Sequence, residues 1–216
     1  DGGRGLLAAV TGSIMVVVFA ALLPINPELA NLEQRTTALT QVIMLLLSIT
    51  VGTAILIWWT LPANEQAPDS TKPRFTARDI TQVFAMPAVW LQAFIILCAY
   101  VGFRSTDDFS LYANQVLGVN EVEAAKLGTV SLWVRPIAAV SAGYLADRFS
   151  AARMTLLSFI LIAAGSMVLA SGMIAEGMYA LFMITIVSAS LGIFAMRGLY
   201  FAIMKESRIP LAVTGS

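Results

Sequence analysis

Three arginines stand deep inside long apolar runs: Arg104, Arg135 and Arg197. An arginine at the centre of a bilayer costs about 2.5–3.5 kcal/mol on insertion scales. A chain that keeps three of them needs something to offset that cost. Guanidinium stays charged at any physiological pH and grips carboxylate, phosphate or sulfonate with two parallel hydrogen bonds. Asp107 and Asp108 follow Arg104 by three and four positions, so all three side chains can share one helix face. Either they neutralise one another, or Arg104 meets a substrate anion while one aspartate carries a proton. Arg135 is followed by Pro136 and preceded on the same face by Ser131, with no acid within a turn. Arg197 shares its surroundings with Ser190, Phe194, Tyr200 and Phe201, and the next acid is Glu206. It serves a binding site, locks a gate, or reaches for the membrane surface. Tyr100, Trp133 and Tyr200 lie near these charges as candidate lining or packing residues. Three guanidinium groups against two carboxylates leave a net positive cavity, which suits a small organic or inorganic anion.

Six apolar stretches must position these groups: residues 5–23, 38–61, 87–117, 127–146, 154–171 and 178–204. A span of about 20 apolar residues crosses a bilayer. Each should be a helix, because backbone facing lipid must satisfy its own hydrogen bonds. Residues 87–117 would form a helix of roughly 45 Å, too long to stand upright. Gly102 and the polar run from Arg104 to Asp108 mark the expected bend. The arginines fall on the third, fourth and sixth stretches, and the others carry no charge.

The composition agrees with a membrane location. Of 216 residues, 58% are hydrophobic and 12% charged, about half the charge of a soluble domain. Net charge is zero, which gives no reason to expect nucleic acid as a partner. Histidine is absent and Cys98 is the single cysteine, so no metal site, cofactor or disulfide framework is expected. The connections show a charge bias. Arg4, Lys72, Arg74, Arg78, Arg148, Arg153, Lys205 and Arg208 fall on one side, against Arg35 and Lys126 on the other. The richer side is expected to be cytoplasmic. Residues 62–86 then form a cytoplasmic linker, polar and broken by Pro68 and Pro73, with a short interfacial helix expected over 77–84. Trp58 and Trp59 suit an interfacial belt. The chain opens without Met, and residues 211–216 look like the first turn of a further helix, so a fragment of a longer protein is expected.

Between the fourth and fifth stretches lies Gly143-Tyr144-Leu145-Ala146-Asp147-Arg148-Phe149-Ser150-Ala151-Ala152-Arg153. This resembles the loop signature of the major facilitator superfamily, G-x-L-[AS]-D-[RK]-x-G-[RK]-[RK]. Gly143, Leu145, Ala146, Asp147 and Arg148 match; Ser150 stands in place of the second glycine, and Ala151 and Ala152 replace the basic pair. Such a glycine allows close helix approach, and the aspartate can cap a helix or hold a basic residue. In the family this degenerate copy follows the eighth of twelve helices. Residues 109–118 are similar to the outer end of the family's seventh helix. The resemblance implies an all-α integral membrane fold, six of twelve helices, covering about the fifth to tenth and the start of the eleventh. Residues 1–61 would end the first six-helix half, 62–86 link the halves, and 87–216 begin the second.

The function implied is secondary active transport of a small anionic solute by alternating access, as symporter or antiporter, with a proton as coupling ion. The expected substrate contacts are Arg104, Arg135, Arg197, Tyr100 and Tyr200. Asp107 and Asp108 are the candidates for proton coupling, and Gly143, Asp147 and Arg148 for conformational gating. The expected setting is the bacterial inner membrane, multi-pass, with the full-length protein monomeric. No catalytic residues are expected. A channel, or a sensor or scaffold on a transporter fold, is the alternative.

Overall fold

The structure is a computed structural model that describes residues 2–24, 30–60 and 84–206. The linker segment 61–83 and residues 207–216 lie outside them, as do the side chains of Phe201 and Lys205. The expectations for the interfacial helix, for Lys72, Arg74, Arg78 and Arg208, and for a further helix over 211–216 fall there.

Every described element is helical. In chain order they are α1 (Gly2–Leu22), α2 (Leu32–Thr60), α3 (Pro87–Ser105), a 3₁₀ turn (Thr106–Asp108), α4 (Phe109–Leu117), α5 (Glu121–Phe149), α6 (Ala151–Ala170) and α7 (Tyr179–Glu206). Five segments are long and apolar enough to cross a membrane: α1, α2, the run Pro87–Leu117, α6 and α7. The sixth, α5, has 29 residues but is the least apolar of the long helices, because it holds Arg135, Pro136 and many small or polar residues.

Local chemistry sets the boundaries. Pro87 occupies the first turn of α3, where its missing N–H costs nothing. The expected bend in the long third stretch is a single 3₁₀ turn at Thr106–Asp108. Gly118 ends α4 in the left-handed conformation (φ 70°). Asn120 then caps α5 by accepting from the Glu123 N–H at 2.9 Å.

Two compact units divide the chain: residues 17–82 form one, and 1–16 with 83–216 the other. In the smaller unit, α2 opens with a reciprocal capping box. Gln34 N–H donates to Asn31 Oδ1 at 2.8 Å, and Asn31 N–H donates to Gln34 Oε1 at 3.1 Å. This adds six residues to the expected helix ahead of Ala38.

In the larger unit α5, α6 and α7 pack antiparallel in three apolar tiers. One end holds Phe109, Leu117, Phe182 and Ile186, and Tyr112 stacks on Phe182 at 5.7 Å. The other end holds Ala142, Met154, Leu199 and Ile203. The middle tier is Val134, Ala138, Ile193 and Phe194, with Phe103 and Ile162 against it. Lipid tails are as apolar as leucine, so close packing, rather than escape from water, holds such helices together. Glycine supplies that closeness: a Cβ on Gly192 would meet the Ser158 carbonyl at 2.6 Å, and one on Gly165 would meet Ala189 at 2.8 Å. The middle tier is where the half-buried Arg135 and Arg197 meet aromatic rings.

Candidate functional site

Arg135 and Arg197 enter the middle tier from α5 and α7. Each lies against an aromatic ring. The Arg197 guanidinium carbon sits 4.3 Å from the Phe103 ring centre, and that of Arg135 sits 5.7 Å from the Phe194 ring centre. The two rings meet edge to face at 6.2 Å. Phe103 comes from α3, so three helices build one ladder: Arg135, Phe194, Phe103, Arg197. A ring face attracts a cation by about 0.5–2 kcal/mol. Among the described residues, no carboxylate lies within ion-pair distance of either group.

α1 closes one side. A Cβ on Gly5 would meet Arg135 Cγ at 3.0 Å and Pro136 N at 3.1 Å, and one on Gly12 would meet Leu132 at 2.7 Å. Between them Ala9 is wholly buried. Ser13 donates to the Ala9 carbonyl at 2.8 Å and accepts from Trp133 Nε1 at 2.9 Å. α1 packs closely on α5 here and contributes one hydroxyl to it.

Arg104 is in a different state. Its Nη1 lies 2.8 Å from Asp107 Oδ2, an i, i+3 pair with both side chains more than half exposed. The 3₁₀ turn sends the adjacent aspartates apart. Asp107 lines a cavity of about 270 Å³ with Gly12, Thr106, Ser110, Thr129 and Ser131. Asp108 lines another, of about 320 Å³, with Ser105, Tyr112, Ser166 and Ile193. The two carboxylates therefore do not share a site.

The expected aromatic contacts divide as well. Tyr100 is exposed and its ring lies 6.3 Å from Phe103. Tyr200 is half-buried, and its carbonyl accepts from Gln92 Nε2 at 3.2 Å, which ties α3 to α7. Ser190, one turn before Phe194, is wholly buried with its hydroxyl unpartnered.

In the α5–α6 loop, a Cβ on Gly143 would meet nothing within 4 Å among the described residues. Asp147 is exposed and does not cap α6. Glu206, at the far end of α7, does so: its Oε1 and Oε2 accept from the Ala151 and Ala152 N–H groups at 2.9 and 3.1 Å. A carboxylate at a helix N-terminus satisfies orphan donors and the helix dipole together. Arg148 rests over its neighbour Phe149 at 5.9 Å. Ser150 has φ 130° and ψ 145°, backbone that only glycine adopts without strain. Its hydroxyl accepts from the Arg153 N–H at 3.4 Å.

A sequence family described as MFS/sugar transport protein matches residues 2–207. The chain belongs to the major facilitator superfamily. No curated protein and no solved structure matches it. Family membership makes it a multi-pass membrane transporter of small molecules.

Sequence reasoning named the three arginines and Asp107 beside Arg104, but missed Phe103 and placed Phe194 near Arg197 rather than under Arg135. Phe103 gave no signal beyond being one apolar residue among many. Glu206 was noted only as the nearest acid to Arg197, and its engagement with α6 depends on a contact across 55 residues.

Proposed function

We propose that this carrier moves a small anionic solute by alternating access, with Arg135 and Arg197 gripping the anion. One observation supports this above the rest. Two guanidinium groups stand in the middle tier, braced on Phe194 and Phe103, with no carboxylate paired to them among the described residues. A charge pair that served only packing would have an acid beside it. Two-pronged donors left unspent are what a carboxylate or phosphate needs. The middle tier is also where solutes sit in carriers of two opposed halves. Tyr200 and Tyr100 border the ladder, and Arg104 joins it when released from Asp107. The matching family's description names sugars, so an acidic sugar satisfies both the cations and the description.

The setting is the bacterial inner membrane, with residues 62–86 cytoplasmic, the full-length protein monomeric, and the two halves meeting across that linker. The protein works as a carrier rather than an enzyme or a channel. The α5–α6 loop, with Asp147 and Arg148, belongs to the gating surface against the opposite half.

The test is uptake by the full-length protein in liposomes, offering glucose, glucuronate, glucose 6-phosphate and inorganic phosphate in parallel. The expected result is saturable uptake of one or more charged solutes, abolished in both Arg135→Ala and Arg135→Lys. Uptake of glucose alone, undiminished in Arg135→Ala, would replace the anion by a neutral sugar. Steady unitary currents would replace the carrier by a channel.

A further inference from the structure

We propose that Arg4 is a further grip on the transported anion: with Arg135 it clamps the anion across the seam between α1 and α5, and the bound anion holds that seam closed. The clamp rests on the anion reading above; the repulsion that loosens the seam without an anion stands on the seam itself.

The seam is narrow. Of the described α1 residues up to Val16, only Gly5 and Ala9 are buried. Gly5 bears on Arg135 Cγ and on the nitrogen of Pro136, and Gly12 bears on Leu132, each too closely for a side chain to fit between. One side-chain hydrogen bond crosses it, from Trp133 Nε1 to Ser13 at 2.9 Å. Small residues let backbones approach, but few atoms touch across them, so dispersion holds α1 to α5 only weakly. α5 is soft at the same point. Pro136 has no N–H, so the Leu132 carbonyl loses its helical donor and the helix can bend there.

Charge works against closure. Arg4 is the chain neighbour of Gly5, and Gly5 meets the Arg135 side chain itself. Two long guanidinium side chains therefore leave the two helices beside one contact. Neither has a carboxylate within ion-pair distance among the described residues. Arg197, at the other end of the ladder, adds a third positive charge and no relief. Like charges repel, the more so away from bulk water, and a narrow face with one hydrogen bond opposes that repulsion. An anion between Arg4 and Arg135 replaces one repulsion by two attractions, since each guanidinium can offer a pair of N–H donors to carboxylate or phosphate. The anion binds better to the closed seam, and the seam closes more readily around the anion, by the same factor. Arg4 is exposed, so an anion can reach it before the seam shuts.

Spin-label distances in the full-length protein test this. Leu7 on α1 and Tyr144 on α5 are exposed and lie outside the seam; both are changed to cysteine and labelled, with every other cysteine replaced. Without solute, the otherwise wild-type chain should give a broad distance distribution. Arg4→Glu sets a carboxylate opposite Arg135 and should collapse it to one short distance. Arg4→Gln removes the repulsion and should shift it part of the way. Glucuronate, glucose 6-phosphate or inorganic phosphate should collapse the wild-type distribution as Arg4→Glu does, and should need about tenfold more solute in Arg4→Gln. An unchanged distribution in Arg4→Glu overturns the proposal, because Arg4 then reaches for the membrane surface instead. Should Arg4→Glu fail to accumulate in membranes, Arg4→Gln decides alone, and no shift in it is equally fatal. A charged solute whose binding is lost in Arg135→Ala, yet which leaves the wild-type labels unmoved, overturns the clamp and keeps the Arg135–Arg197 grip. Binding of none of the three solutes removes the grip and the clamp together.

Discussion

Arg104 and the pair Arg135–Arg197 face the same physical problem and solve it in opposite ways. Arg104 is neutralised by Asp107, three residues along its own helix. Arg135 and Arg197 are held by rings from other helices, Phe194 and Phe103, that soften the charge without cancelling it. The first arrangement needs only local sequence. The second needs three helices in register. A cation that is cancelled rests; a cation that is only braced remains ready for an incoming anion. On the proposed reading the ladder grips the solute, while Arg104 rests in its ion pair.

Substitutions can break or sharpen that contrast. The largest effect belongs to the ladder. Arg135→Ala should lower uptake of the charged solute by at least about 100-fold, and Arg135→Lys nearly as much, because an ammonium cannot reproduce a two-pronged grip. Equal loss in Arg104→Lys, measured side by side, would erase the distinction between the two sites. Next comes coupling. Asp107→Asn should cut accumulation against a gradient about tenfold while leaving downhill exchange, and Asp108→Asn should do neither. Phe103→Leu removes the brace under Arg197 and keeps an apolar side chain. A cation–π contact of about 1–1.5 kcal/mol makes the expected change about tenfold in KM, with expression unchanged.

Much of this was legible in the sequence, and the limits were physical. Apolar run length located all six helices, because a bilayer imposes a length that few other constraints rival. The break near Arg104 was legible from a polar run in an overlong stretch, and the structure makes it the 3₁₀ turn at Thr106–Asp108. What that turn does to Asp107 and Asp108 was not legible. Adjacent residues lie about 100° apart on a helix, and only the tertiary neighbours decide which cavity each meets. Gly143 has no described neighbour within 4 Å of a Cβ, so its close-approach role stays a proposal about the gating surface. Ser150 was read only as a departure from the signature; that its backbone takes φ 130°, a region that favours glycine, was not legible.

Two smaller effects test that loop. Glu206→Ala leaves the first turn of α6 without its carboxylate, and should cost about 1–2 kcal/mol, visible as a lower thermal midpoint in detergent. Ser150→Gly relieves the positive-φ strain but gives up the weak 3.4 Å cap, so a gain of about 1 kcal/mol or less is expected. A lower midpoint for Ser150→Gly would show that the cap outweighs the strain.

Calorimetric binding of the transported anion to the purified full-length carrier tests the central claim most directly. Arg135→Ala, with helix content and thermal midpoint matching the wild type, should weaken that binding at least about 100-fold. Wild-type affinity in that variant would contradict it.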